Sequence, residues 1–202
     1  MVYRAIGLMS SSSLNELELV FAEFDVIGQK WTYELKCTAR FPYSTEWIDR
    51  LNKASALSAV DYLQLHADFG QFLGQKVKQF MDENKLDYQV QLIGVHGHPA
   101  FYSPATKMIH RLGDGAAVAA ITGVNVVSNL QSMDIALGGN GSSLFTMAEK
   151  LLTTAEQTDF KETLAVAFFA LLRWREENNM LMADTGAVRD SIGGAVWLGQ
   201  EW

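Results

Sequence analysis

Apolar and polar positions change rhythm several times along the chain, and each rhythm predicts an element. Residues 2–8 are a short apolar run ending at Ser10-Ser11-Ser12-Ser13, which predicts a buried strand. Residues 17–25 alternate Leu17, Leu19 and Phe21 against Glu16, Glu18 and Glu23, with one slip near Ala22. Residues 30–40 alternate cleanly through Trp31, Tyr33, Leu35 and Cys37. With a turn at Ile27-Gly28-Gln29, the three runs form an antiparallel meander. Helical spacing then takes over. Trp47, Ile48 and Leu51 in residues 44–54 follow Ser44 or Thr45 as N-cap, and residues 58–84 form a long amphipathic pattern behind Ser58. Residues 88–95 return to strand, 114–122 predict a short helix opening at Asp114, and 124–128 predict another strand. Residues 138–143 read as a polar loop, 144–153 as a helix, 154–158 as a junction and 159–178 as a strongly apolar helix. The tail carries a short strand near 180–183 and ends on Gly193-Gly194-Ala195-Val196-Trp197-Leu198.

Three antiparallel strands followed by helix, parallel strand, helix and parallel strand is the order of the ribonuclease H-like lobe, which occurs twice in sugar kinases and actin-like ATPases. The expected fold class is therefore α/β: a mixed sheet flanked by helices. No internal repeat supports a second copy, so residues 1–202 are read as one lobe. Residues 1–147 form its main part, and 159–202 are a helix and tail returning to the same lobe.

Composition narrows the partners. Of 202 residues 49% are apolar and 19% charged, enough for an ordinary globular core. The net charge is −7, and the 16 basic residues form no cluster, which argues against nucleic acid. One cysteine, Cys37, excludes a disulfide framework within the chain and is expected to be a small buried hydrophobe. The first residues enter a strand with no cleavage signal, and the most apolar stretch, Leu164–Leu172, is about half a bilayer span. The expectation is a cytoplasmic protein that does not cross a membrane.

Four strings carry the candidate chemistry. The first runs from Ile6 to Glu18 (Ile-Gly-Leu-Met-Ser-Ser-Ser-Ser-Leu-Asn-Glu-Leu-Glu), and the second is His96-Gly97-His98-Pro99-Ala100-Phe101-Tyr102-Ser103-Pro104. The third is Leu112-Gly113-Asp114-Gly115-Ala116-Ala117, continuing through Val126-Val127 to Asp134-Ile135-Ala136-Leu137-Gly138-Gly139-Asn140-Gly141. The fourth is Thr185-Gly186-Ala187-Val188-Arg189-Asp190-Ser191-Ile192-Gly193-Gly194. In this order and spacing they resemble the anhydro-N-acetylmuramic acid kinases. That family opens on Gly-Leu-Met-Ser-Gly-Thr-Ser-Leu-Asp-Gly-Leu-Asp and carries His-Gly-Gln-Thr-x-x-His-x-Pro and Asp-Val-Ala-x-Gly-Gly-Gln-Gly. Its long middle section, which completes a second lobe, has no counterpart here. The join falls around residues 148–160, so an internal deletion of about one lobe is expected.

The resemblance implies ATP and Mg²⁺ as cofactors and an amino sugar as ligand. In a working relative the first loop touches ATP phosphates through backbone N–H groups, hydroxyls and an aspartate that helps place the metal. Here Ser10, Ser11, Ser12, Ser13 and Asn15 are a degenerate version of that loop: Asn15 is a poor ligand for a hard cation, and Glu16 and Glu18 add negative charge. The family's Asp-Phe-Arg becomes Asn129-Leu130-Gln131, replacing an acid and a base by neutral groups. The resemblance implies a sugar-facing edge of His96, Asp114, Asn129, Gln131 and Glu162, with Tyr102 where the family has a second histidine. Plain readings stand beside these. Asp114 is explained by N-capping, Glu162 by the first turn of a helix, and Arg189-Asp190 by a turn or ion pair. His96 and His98, placed on one side of a strand end, lack further metal ligands nearby. No catalytic and no metal residue is therefore assigned. The expectation is a one-lobe pseudokinase that binds an amino sugar or a partner. The alternatives are an active kinase completed by another chain, and a homodimer or heteromer covering the face of the missing lobe.

Overall fold

The computed structural model describes residues 1–10, 14–28, 30–142 and 159–199. Ser11–Ser13, the helix expected at 144–153 and the junction at 154–158 lie outside the described residues.

The meander forms as the alternation predicts. Strands β1 (Val2–Ser10), β2 (Glu16–Ile27) and β3 (Lys30–Pro42) pair antiparallel, and Gly28 takes a positive φ of 67° in the turn. Strands β4 (Leu92–Val95) and β7 (Asn125–Ser128) add parallel to β1, and β8 (Ala195–Trp197) closes the sheet antiparallel, giving the order β3-β2-β1-β4-β7-β8. A separate hairpin, β5 (His98–Ser103) with β6 (Met108–Leu112), stands beyond the end of β4.

Helices cover both faces of the sheet. Ile6, Leu8, Leu17, Leu19, Ile93, Val95 and Val126 face α2 (Ala59–Asn84) and α3 (Gly115–Thr122). Their neighbours Ala5, Val20, Leu92 and Val127 face α5 (Lys161–Trp174). Strand parity thus feeds two separate cores, the usual layered solution for an α/β lobe. In α5, residues 163–172 are buried all round, as a helix apolar on every side must be. Gly7 and Gly94 sit side by side in the parallel register and let α5 approach the sheet backbone to backbone: a Cβ at Gly7 would lie 2.0 Å from the Thr163 carbonyl oxygen. The tail then wraps α5. Buried Asn179 donates to the carbonyls of Phe169 (3.2 Å) and Gly193 (2.9 Å) and accepts from the Gly193 N–H (2.7 Å), which satisfies its amide.

Ser44 caps α1 (Thr45–Asn52), Ser58 caps α2 and Asp114 caps α3, each through its side chain. The structure corrects four expectations. The strand expected from residue 88 begins at Leu92, because Tyr88 has φ 59° in a turn after α2. Met180 makes a single bridge to Ser191, and 182–185 is a helical turn, α6 (Met182–Thr185), rather than a strand. The clean alternation of residues 30–40 conceals a bulge: Phe21 pairs with Cys37 but Ala22 with Leu35, so Lys36 is extra. Trp31, Tyr33 and Leu35 consequently face the α5 core while Cys37, Ala39 and Phe41 face the α2 core. Lastly, His96 and His98 do not share one strand end. Gly97, at φ 69°, turns the chain between them, and His98 begins β5.

Candidate functional site

A cleft of about 320 Å³ opens between the β5–β6 hairpin and residues 131–142, in the lower range for small-molecule sites. Phe101, Tyr102, Ile109 and Arg111 come from the hairpin; Gln131 and Asn140–Ser142 form the other wall. The two walls are tied together. The Tyr102 hydroxyl donates to the Asn140 carbonyl (2.6 Å), Arg111 Nε donates to Gln131 Oε1 (2.9 Å), and Gln131 Nε2 donates to the Gly141 carbonyl (2.6 Å).

Behind the loop, Asp134 in α4 (Ser132–Ala136) is 1% exposed. It accepts from the Gly141 N–H (2.8 Å) and from the Thr185 hydroxyl (2.7 Å). A loop that reads as loose polar glycine-rich sequence is therefore fixed from below by one carboxylate. Thr185, from the fourth string, joins the third string at this point.

The candidate residues divide into two groups. His96, Gln131 and Tyr102 gather at or behind the cleft. His96 is 6% exposed, and its ring nitrogens make no hydrogen bond of good geometry among the described residues, although the Gln131 side chain lies near enough to pull its pKa slightly upward. Burial and the neighbouring Arg111 charge push its pKa down to about 3. The same two causes hold His98 at about 4. Both imidazoles are therefore neutral near pH 7. The others lie apart. Asp114 accepts from the Ala116 N–H (2.9 Å) as a cap. Asn129 is exposed at φ 55°. Glu162 is exposed in the first turn of α5, whose helix covers the sheet face opposite α2 and α3. Asp190 accepts from the Met182 N–H (2.8 Å), which makes it a turn element.

Beside the first loop the side chains of Ser10, Glu16 and Glu18 are already engaged. The Ser10 hydroxyl is 1% exposed, accepts from the Tyr43 hydroxyl (2.8 Å) and lies 3.2 Å from His98 Nδ1. Glu16 and Glu18 each lie 3.2 Å from Arg40 Nε, and Glu18 also accepts from the Thr163 hydroxyl (2.9 Å). Asn15 is exposed, and Tyr43 donates its N–H to the Asn15 carbonyl (3.2 Å). No group of three His, Cys, Asp or Glu side chains that could hold a metal occurs among the described residues. A triphosphate with Mg²⁺ needs free donors and an acidic ligand; of the described residues flanking the loop, Glu16 and Glu18 already pair with Arg40.

Sequence reasoning missed Arg111. It lies in a strand the apolar pattern did not announce, one residue before the Leu-Gly-Asp-Gly string. Its charge faces the very residue, Gln131, at which a charge was judged lost. Burial lowers its pKa to about 10, so it remains a cation at neutral pH.

A mixed sheet of this order, clothed by helices on both faces, is a lobe of the actin-like, ribonuclease H-like ATPase class. Within that class the chain belongs to the anhydro-N-acetylmuramic acid kinase family, whose model matches residues 3–159. An anhydro-N-acetylmuramic acid kinase of Paramagnetospirillum magneticum is 29% identical over 191 residues, covering 90% of this chain and 50% of the relative. The enzyme of that name from Brucella suis is 31% identical over 152 residues, covering 70% of this chain and 40% of its own length. That from Rhizorhabdus wittichii is 27% identical over 208 residues, covering 98% and 55%. The chain thus spans about half the length of the curated relatives it matches. No helix among the described residues is long and apolar enough to cross a membrane.

Proposed function

We propose that this chain is a kinase-like amino-sugar binder that does not itself transfer phosphate. The observation that carries this reading is the contrast between two places in one lobe. The cleft beside Gln131 is open and concave, with its polar side chains held in place by bonds between its two walls, whereas no comparable cleft adjoins Ser10, Glu16 and Glu18 among the described residues, and these are bonded to Tyr43, Arg40 and Thr163. Phosphoryl transfer is positioning plus charge stabilisation from both walls of a cleft. One lobe with neutral Asn15 and Gln131 supplies neither wall of a nucleotide site in full. ATP and Mg²⁺, the cofactors of the family, are accordingly not bound productively. The sugar-facing residues are Tyr102 and Gln131, with His96 buried behind them; Asp114, Asn129 and Glu162 do not line the cleft.

The shortening is read as internal. It rests on the 185–194 string and on α5 and the tail packing into the same lobe, where Thr185 holds Asp134. The Rhizorhabdus match, 208 residues long over 98% of this chain, leaves no room for a skipped lobe and does not itself support the deletion.

Thermal unfolding with 1,6-anhydro-N-acetylmuramic acid, with ATP·Mg²⁺ and with both tests the reading. Stabilisation by the sugar alone, rising with the logarithm of its concentration, is expected. A shift with ATP·Mg²⁺ alone overturns the claim of an eroded loop, and no shift with sugar overturns the claim of a surviving site.

A second reading, association with another copy, is favoured by the sheet edge. At the β8 edge Trp197 is 38% exposed and Leu198, just past the strand, 72% exposed. Sedimentation velocity over a hundredfold concentration range tests it: a single monomer boundary throughout rejects a dimer.

A further inference from the structure

The chain has four histidines, and all four lie in or against the β5–β6 hairpin. His96 immediately precedes the turn into it, His98 begins β5, His110 lies in β6, and His66 faces His110 from α2. The hairpin pairs with no strand of the main sheet among the described residues. Two strands alone are marginal in water, so side-chain contacts must hold this pair in place. Its two ends are glycines at positive φ, Gly97 at 69° and Gly113 at 112°. They lie side by side: a Cβ on Gly113 would sit 3.8 Å from the Gly97 Cα. One permissive residue on each strand, at the same level, gives the hairpin a hinge.

Imidazoles make the contacts on the far side of that hinge. The Tyr62 hydroxyl lies 2.6 Å from His110 Nδ1, and the His66 and His110 rings are 5.1 Å apart, centroid to centroid. Burial raises the Tyr62 pKa to about 12, so the phenol keeps its proton and Nδ1 of a neutral His110 accepts it. Phe101 packs on Tyr62 at 5.2 Å. His66 Nδ1 is buried and makes no hydrogen bond among the described residues. At the root, His98 Nδ1 lies 3.2 Å from the Ser10 hydroxyl. The titratable and charged groups facing these rings are Tyr62 and Asp114 around His66 and His110, and Arg111 and, through Ser10, Tyr43 around His96 and His98. Asp114 is the one acid among them, and its carboxylate already accepts from the Ala116 N–H.

A proton on either ring of the His66–His110 pair therefore meets an imidazole and little countercharge, and protons on both rings repel. Burial holds His66 and His110 below the ordinary imidazole range, so both are neutral at pH 7. Swinging the hairpin out returns the rings to water, where they bind protons more tightly. The closed form is thus fully favoured above about pH 6.5 and loses ground as pH falls.

We propose that the β5–β6 hairpin is an acid-released flap: the His66–His110 contact holds it on α2 while both rings are neutral, and protonation swings it out about Gly97 and Gly113. The bonds from Tyr102 to Asn140 and from Arg111 to Gln131 part as it moves, and the cleft loses the wall that carries Phe101, Tyr102, Ile109 and Arg111. The device does not depend on what the cleft binds.

Hydrogen exchange of the whole chain by mass spectrometry, at pH 7.5, 6.5 and 5.5, is the test. Results are compared as protection factors, which remove the chemical dependence of exchange on pH. Each imidazole released contributes up to about tenfold per pH unit below about 6.5. Protection of the 98–112 amides is expected to fall at least tenfold between pH 7.5 and 5.5, while that of β1 and β2 changes less than twofold. His66→Gln/His110→Gln keeps an acceptor for Tyr62 and takes no proton, so its hairpin protection is expected to stay level across the series. Tyr62→Phe removes the hydroxyl at every pH and is expected to lower hairpin protection already at pH 7.5. Equal hairpin protection at pH 7.5 and 5.5 in the unaltered chain overturns the proposal. So does a loss shared by β1 and β2, which is unfolding of the lobe and not movement of a flap. A double variant that keeps its β1 and β2 protection and still shows the full response to acid overturns the assignment to His66 and His110.

Discussion

Gly7→Ala probes whether the C-terminal helix truly completes this lobe. An added Cβ lies 2.0 Å from the Thr163 carbonyl oxygen, 3.0 Å from the Ala167 nitrogen and 3.1 Å from the Thr163 carbonyl carbon. All three are helix backbone, so no side chain can rotate out of the way. Ordinary contact starts near 3.4 Å, so α5 must retreat by about 1.4 Å. Radial gaps of about 0.5–1 Å already forfeit a quarter to a half of each van der Waals contact, and here the helix face is buried from Thr163 to Leu172. Overpacking of this kind costs about 1–3 kcal/mol, and backbone contacts that no rotamer can relieve put this site at the upper end. For a chain of this size that lowers Tm by roughly 2–12 °C. Gly28→Ala is the control: open space surrounds it, and only its φ of 67° is unfavourable, so about 1 kcal/mol is expected. Urea and thermal unfolding of both variants supply the comparison. If Gly7→Ala loses less than Gly28→Ala, α5 does not lie on β1, and the return of the C-terminal segment to this lobe is refuted.

Other consequences follow from single contacts. Asp134→Ala leaves the Gly141 N–H and the Thr185 hydroxyl unpaired; a loss of about 2–4 kcal/mol is expected by urea unfolding, together with weaker sugar binding as the 138–142 loop loosens. Ser128→Ala removes the acceptor of the Trp197 indole N–H (3.0 Å) and is expected to cost about 1 kcal/mol and to change tryptophan fluorescence, whereas an unchanged spectrum contradicts the placement of β8. Acidification gives a signed test. His96 and His98 are held near pKa 3 and 4 when folded, below the unfolded value of about 6.5, so the unfolded chain binds more protons between these limits. Their contribution is complete above pH 6.5 and is lost as pH falls, at up to about 1.4 kcal/mol per pH unit for each. His96→Gln is expected to flatten that slope between pH 6.5 and 4.5, and an unaltered slope rejects the buried neutral histidine.

Much of the sheet was legible because strand parity and helical spacing are local. Ser44, Ser58 and Asp114 cap the helices they precede, and β1, β2 and β7 fall close to where alternation or apolar runs place them. The bulge at Lys36 was not legible. Trp31 to Phe41 keeps one unbroken alternation in sequence, while an extra residue sends its two halves to opposite cores. The β5–β6 hairpin was hidden for a different reason: it covers one end of the sheet, its strands are only half-buried, and Pro99 interrupts the pattern. The candidate site divided along the same line. His96 and Gln131 were found through motif strings. Arg111 was not, because its significance lies in a contact with Gln131 across 20 residues of chain and not in any spacing. Glu162 and Asn129, also taken from motif positions, lie outside the cleft lining, the one exposed in the first turn of α5 and the other exposed at φ 55°.

The central claim is a lobe that holds an amino sugar without phosphorylating it. Calorimetric injection of 1,6-anhydro-N-acetylmuramic acid into the chain, in the presence of ATP·Mg²⁺, reads both halves at once. The account predicts a saturable binding heat that returns to baseline after each injection and is the same when ATP·Mg²⁺ is omitted. A sustained heat that persists until the sugar is consumed is phosphoryl transfer, and it contradicts the account.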